Sequence, residues 1–172
     1  MTGNEKDMAI QITLRISNDR NVLTIDKISR YIRNKGMTCH SVTENSVEFE
    51  KEGTKYKIFF DGIRFQLALV FSIGEGAPAQ MLLMASNQLN LEGCGVKASM
   101  NIDANNPTNN LLVFSVDGFC HRPKDFEMDF DYSMQALKGG VDRHRSICEQ
   151  FNKDTAHKPA KRKIGFIQHY EK

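Results

Sequence analysis

The sequence predicts an α+β fold: an antiparallel sheet of five to six strands with helices packed on one face. Three observations predict it. Apolar residues alternate with polar ones through several short runs, which is the period of half-buried strands. Asp61-Gly62 stands between two apolar runs and is the strongest short hairpin signal in the chain, because both central residues of that turn take positive φ. From Phe126 onward the spacing of apolar residues changes to three and four, the mark of a long amphipathic helix.

In order along the chain, Ile10, Ile12, Leu14 and Ile16 alternate with Gln11, Thr13 and Arg15 and predict a first strand. Thr24 suits an N-cap before a short helix that places Ile25, Ile28 and Ile32 on one face, with Gly36 just past its end. Strands over 37–42 and 46–50 flank a loop at 43–45, and a strand over 55–60 leads through Asp61-Gly62 into 63–73. Together these form a three-stranded meander and its continuation. The run from Arg64 to Ile73 is apolar on both faces, which places it mid-sheet under a covering layer. Gly74-Glu75-Gly76-Ala77-Pro78 then turns the chain into a helix over 79–91, expected to be that cover.

Val96, Ala98, Met100 and Ile102 alternate with Lys97, Ser99 and Asn101, a dense turn occupies 104–110, and 111–119 returns as the partner of a second hairpin. The last helix carries Phe126, Phe130, Met134, Leu137, Val141, Cys148 and Phe151 on one stripe, which steps by seven across His144. Gly139-Gly140 costs about 1 kcal/mol per glycine relative to alanine and is expected to bend or break that helix.

Size and composition fit one domain over 1–152 followed by a basic, flexible tail over 153–172. Of 172 residues 40% are hydrophobic, enough for a substantial core. The net charge of +2 is uneven: from Lys153 onward six Lys/Arg face two acids, and the remainder holds 17 basic against 19 acidic residues. A near-neutral body with its basicity in a tail argues against nucleic acid as partner. The polar start at 1–7 lacks a signal peptide's apolar segment, and no run approaches the roughly 18 apolar residues needed to span a bilayer. The expected location is the cytoplasm, with no membrane partner. Cys39, Cys94, Cys120 and Cys148 are widely spaced and are expected to be reduced thiols.

The motifs with chemical content mostly read as structure. Gly74-x-Gly76-x-x-Ala79 matches a dinucleotide fingerprint in form, but that motif needs a parallel βαβ unit, and the strand before it belongs to an antiparallel hairpin. Cys39-His40 and Cys120-His121 are neighbours on strands, so each pair points to opposite faces and cannot act as nucleophile and base. Asp125, Glu127, Asp129 and Asp131 imitate a calcium loop, but Phe130 stands where that loop needs glycine and Ala136 where it needs glutamate. Arg143-His144-Arg145 reads as solvated surface. The expectation is therefore a non-enzyme with no cofactor and no metal; were there a scattered active site, Asp117, Cys120 and His121 would be its best candidates. The alternative function is small-ligand binding in a pocket between the sheet and the helix that carries Met81 and Met84. The residues expected to form an interaction surface are Ile10, Ile12, Leu14 and Ile16, together with Lys161, Arg162 and Lys163.

Three segments carry a resemblance to a known family. They are the strand Phe65-Gln66-Leu67-Ala68-Leu69-Val70-Phe71, the helix around Ala85-Ser86-Asn87-Gln88-Leu89-Asn90, and Leu111-Leu112-Val113-Phe114-Ser115-Val116 before a long helix. Over about residues 22–152 this order resembles that of YbjN-like proteins and of class I type III secretion chaperones. The resemblance implies a bacterial, chaperone-like homodimer that binds other proteins and carries no catalytic residues. The 10–16 strand, the Gly139-Gly140 pair and the basic tail are additions to that pattern.

Overall fold

The computed structural model describes residues 21–74, 78–103 and 110–156. The expected 10–16 strand, the 161–163 cluster and Glu75, Gly76 and Ala77 of the bend lie outside the described residues. The element order is α1 (Ile25–Asn34), β1 (Thr38–Val42), β2 (Ser46–Lys51), β3 (Thr54–Phe60), β4 (Arg64–Ser72), α2 (Ala79–Glu92), β5 (Lys97–Asn101), β6 (Leu111–Phe119) and α3 (Pro123–Ala156). All strand pairs are antiparallel, in the order β1-β2-β3-β4-β6-β5. The α+β class holds. The meander has four strands rather than three, so six are reached without the 10–16 segment.

Local chemistry explains the turns. The hairpin forms with Phe60 opposite Phe65, but only Gly62 of the Asp-Gly pair takes positive φ, +99°. Asp61 N donates to Arg64 O at 3.1 Å, so Gly62 and Ile63 are the central turn residues, and Asp61 Oδ1 braces the turn by accepting from Ile63 N at 3.1 Å and Arg64 N at 2.7 Å. Thr24 caps α1 by accepting from Lys27 N, as its position predicts.

β4 is central, between β3 and β6, but only one of its faces is under a layer. Phe65, Leu67 and Leu69 are buried, whereas Val70 on the opposite face is 45% exposed. The cover over the sheet's centre is also not the helix after the bend. α3 lies on β6 and β4, α1 lies on β1 and β2, and α2 lies on edge strand β5 and against α3. The reason is side-chain size. α3 sends the fully buried Phe126, Phe130 and Leu137 into the core, while α2 buries only Ala85, Ser86 and Leu89. Phe126 and Phe130 join Tyr31, Phe49 and Phe65 in one aromatic cluster, with ring centroids 5.3 to 5.9 Å apart.

Gly139-Gly140 does not break α3, which runs as one helix of 34 residues. A Cβ at Gly140 would lie 2.7 Å from Val96 Cγ1, so the glycine admits the chain entering β5 to the helix surface. Gly139 faces open space. Gly118 plays a similar part in β6, where the Phe65 ring fills the place of its missing side chain.

Candidate functional site

β6 and the residues after it position the three catalytic candidates, and they do not converge. Asp117 projects onto the uncovered sheet face, where Lys97 Nζ meets it at 2.7 Å and Gln66 Nε2 donates to it at 3.0 Å. Its partial burial would raise its pKa, but the Lys97 ammonium and Gln66 amide outweigh this and hold the carboxyl below the usual carboxylate range. Cys120 is 2% exposed, and burial, aided by Asp129 and Asp125, pushes its thiol up to about 11. His121 is exposed, and its backbone carbonyl accepts from Leu23 N at 2.8 Å. The three candidates thus stand in three environments: an ion-paired carboxylate on the open sheet face, a buried protonated thiol and an exposed imidazole.

Cys39 and His40 diverge as alternation requires. Cys39 Sγ faces Ser29 O beneath α1 at 3.7 Å, and His40 Nε2 meets Glu50 Oε2 at 3.1 Å. Among the described residues, no group of three or more His, Cys, Asp or Glu side chains is placed to hold a metal ion. Under α2, Ala85, Ser86 and Leu89 are buried, Met81 packs against the core, and Met84 is 48% exposed.

Arg143-His144-Arg145 is not a solvated unit. Arg143 makes a bidentate pair with Glu92 of α2 at 2.8 and 2.6 Å, and Arg145 pairs with Asp142 of its own helix. His144 is 4% exposed, inside the α2–α3 seam. Its Nε2 lies 3.2 Å from Ser86 Oγ and 3.3 Å from Leu82 O, and its Nδ1 lies 3.8 Å from Cys148 Sγ. The Phe114 ring meets the imidazole edge-on at 5.1 Å. The Cys-His pairs visible as motifs are adjacent in sequence, whereas this pair is one helical turn apart, at i and i+4.

Three surfaces remain. The uncovered sheet face carries the ion pairs Lys57–Glu48 and Lys97–Asp117 around Ala68 and Ser115, with Phe59, Val70 and Phe119 exposed among them. A hollow of about 300 Å³ on that face is lined by Asn45, Phe59, Phe60, Asp61, Arg64 and Gln66. The two sheet edges differ. On β5, the Asn90 carboxamide donates to Ala98 O and accepts from Ala98 N, both at 2.8 Å, so it stands where a neighbouring strand's peptide group would. β1 has no such cap among the described residues; its pairing with β2 shifts register between Cys39 and Ser41. The third surface is the outside of α2, where Leu83, Met84 and Leu91 are 44%, 48% and 83% exposed and no charged residue occurs over 79–91.

Comparison with solved structures gives matches at the level of fold. YbjN of E. coli, a proposed transcription regulator, superposes with a TM-score of 0.55 at 12% identity, covering 77% of this chain and 94% of that one. The chain shares the YbjN fold. An uncharacterised protein from Methanothermobacter thermautotrophicus superposes with a TM-score of 0.51 at 11% identity, covering 75% of this chain and 99% of that one. No protein-family model matches, and no curated protein matches. At these identities the likeness to YbjN speaks for architecture, which agrees with the resemblance carried by β4, α2 and β6. No helix among the described residues is long and apolar enough to cross a membrane.

Proposed function

We propose that the chain is a non-enzymatic, chaperone-like protein-binding module that acts as a homodimer with α2 at the subunit interface. One observation carries this reading: the outer stripe of α2 is apolar and uncharged where a solvated helix would carry charge. Leu83 and Leu91 are spaced four residues either side of Asn87. A two-fold axis at Asn87 therefore sets Leu83 of each helix against the partner's Leu91, which makes the patch complementary to itself. The carboxamides of Gln80, Asn87 and Gln88 donate and accept alike, so they suit a symmetric seam as well.

In this reading other proteins are bound away from the dimer seam. β1 is the edge suited to accept an extended segment, because β5 is closed by Asn90. The residues Ile10, Ile12, Leu14 and Ile16 and the basic cluster Lys161, Arg162 and Lys163 belong to the same reading as further contact segments. The protein works in the cytoplasm, where its four thiols stay reduced.

Light scattering behind size exclusion tests the dimer. The expected mass is twice the 19.5 kDa of the chain, and Leu83→Glu or Leu91→Glu is expected to return it to that of one chain. A monomeric wild type across micromolar concentrations would overturn the reading, as would a dimer that survives both substitutions.

A further inference from the structure

We infer that Ser86, His144 and Cys148 form an acid-released latch that holds α2 against α3 and so keeps the β5 edge closed. One arrangement of protons fits all four contacts, the 3.3 Å approach of His144 Nε2 to Leu82 O included. Ser86 Oγ–H donates to Leu82 O at 2.9 Å, one turn back on its own helix. The Ser86 oxygen is then free to accept from His144 Nε2–H at 3.2 Å. With its proton on Nε2, the ring presents Nδ1 as a bare acceptor to the Cys148 thiol at 3.8 Å. The latch is complete only while the imidazole is neutral.

A second proton on Nδ1 replaces the acceptor with a donor, to which the Cys148 sulfur can offer only a weak lone pair. It also places a cation in a site that is 4% exposed. The groups meeting the ring offer no counter-charge: Ser86 Oγ and Leu82 O from α2, Phe114 from β6, and Cys148 from α3 itself. The charges nearby in sequence are already committed, Arg143 to Glu92 and Arg145 to Asp142. Burial accordingly holds His144 below the usual histidine value, against a weaker upward pull from the Leu82 carbonyl.

The consequence reaches the sheet because Asn90 sits on the same helix as Ser86. When α2 loosens, its carboxamide leaves Ala98, and the β5 edge becomes available for pairing. This inference concerns the inner side of α2 and stands apart from the dimer reading of its outer side.

Hydrogen exchange of the full chain at pH 7.5 and 5.5, corrected for intrinsic exchange, tests it. Opening of α2 and of the Ala98 amide is expected to rise by up to about tenfold per pH unit below about 6.5, the limit for uptake of one proton. The amides of the first half of α3 should keep their protection. His144→Gln is expected to abolish the pH dependence. If that variant fails to fold, Ser86→Ala keeps the ring and should lower α2 protection at pH 7.5 while retaining the slope. Equal α2 protection at the two pH values overturns the latch, as does the same pH-driven loss in His144→Gln or loss of the slope in Ser86→Ala.

Discussion

A thiol attacks as its thiolate, so the fate of each cysteine follows from its surroundings. Cys94 is exposed just after α2, Cys39 is half-buried with its pKa raised by burial, and Cys120 and Cys148 are buried. A disulfide reagent should therefore meet one fast equivalent in the native protein, and Cys94→Ser should remove that phase. Cys120 should react only on unfolding; fast labelling of Cys120 in the folded chain would contradict its placement. His144 shows where reading single residues from sequence runs out. Its helical phase, between Val141 and Cys148 on the apolar stripe, signalled an inward ring. The arginines on either side read as surface, and they are exposed; phase decided the histidine and composition decided its neighbours.

At the scale of elements, what is locally encoded was readable and what depends on distant contacts was not. The Asp61-Gly62 hairpin was readable because its hydrogen bonds lie within four residues. The part played by Gly139-Gly140 was not, since it depends on Val96, more than forty positions away. The two glycines should separate cleanly in thermal melts. Gly140→Ala forces a Cβ against Val96 and should destabilise by about 1–3 kcal/mol, the range for overpacking. Gly139→Ala meets open space and should stabilise by up to about 1 kcal/mol through helix propensity. Equal effects at both positions would mean that α3 does not approach the start of β5 as described. Which helix covers β4 was likewise hidden, because α2 and α3 are both rich in apolar residues. Only packing reveals that the aromatic side chains of α3 take the centre and leave α2 a narrow inner side of alanine, serine and leucine.

For the whole molecule, the titrating groups set the pH range of stability. His144 has a folded pKa below its unfolded value, so its stabilising effect is complete above about pH 6.5 and declines as pH falls below it. Asp117, also lowered, contributes stability above its unfolded value of about 3.9 that is lost as pH falls through its folded one. The melting temperature should thus fall in two stages on acidification, the first absent from His144→Gln. A wild-type melting temperature that is flat from pH 7.5 to 5.5 would contradict the first stage.

The Asn90 carboxamide gives the sheet a direction of growth. A ribbon with two live margins can propagate, each added strand offering a fresh template to the next molecule, and such stacking ends in fibres. With one margin occupied by a side chain, the sheet behaves like a chain whose far end carries a terminator. Under the proposed function a guest strand pairs at β1, and the occupied margin at β5 keeps copies from joining margin to margin. Asn90→Ala should therefore do more than strip two hydrogen bonds from Ala98: it should let copies polymerise, read as concentration-dependent turbidity and thioflavin binding in a chain that otherwise stays folded.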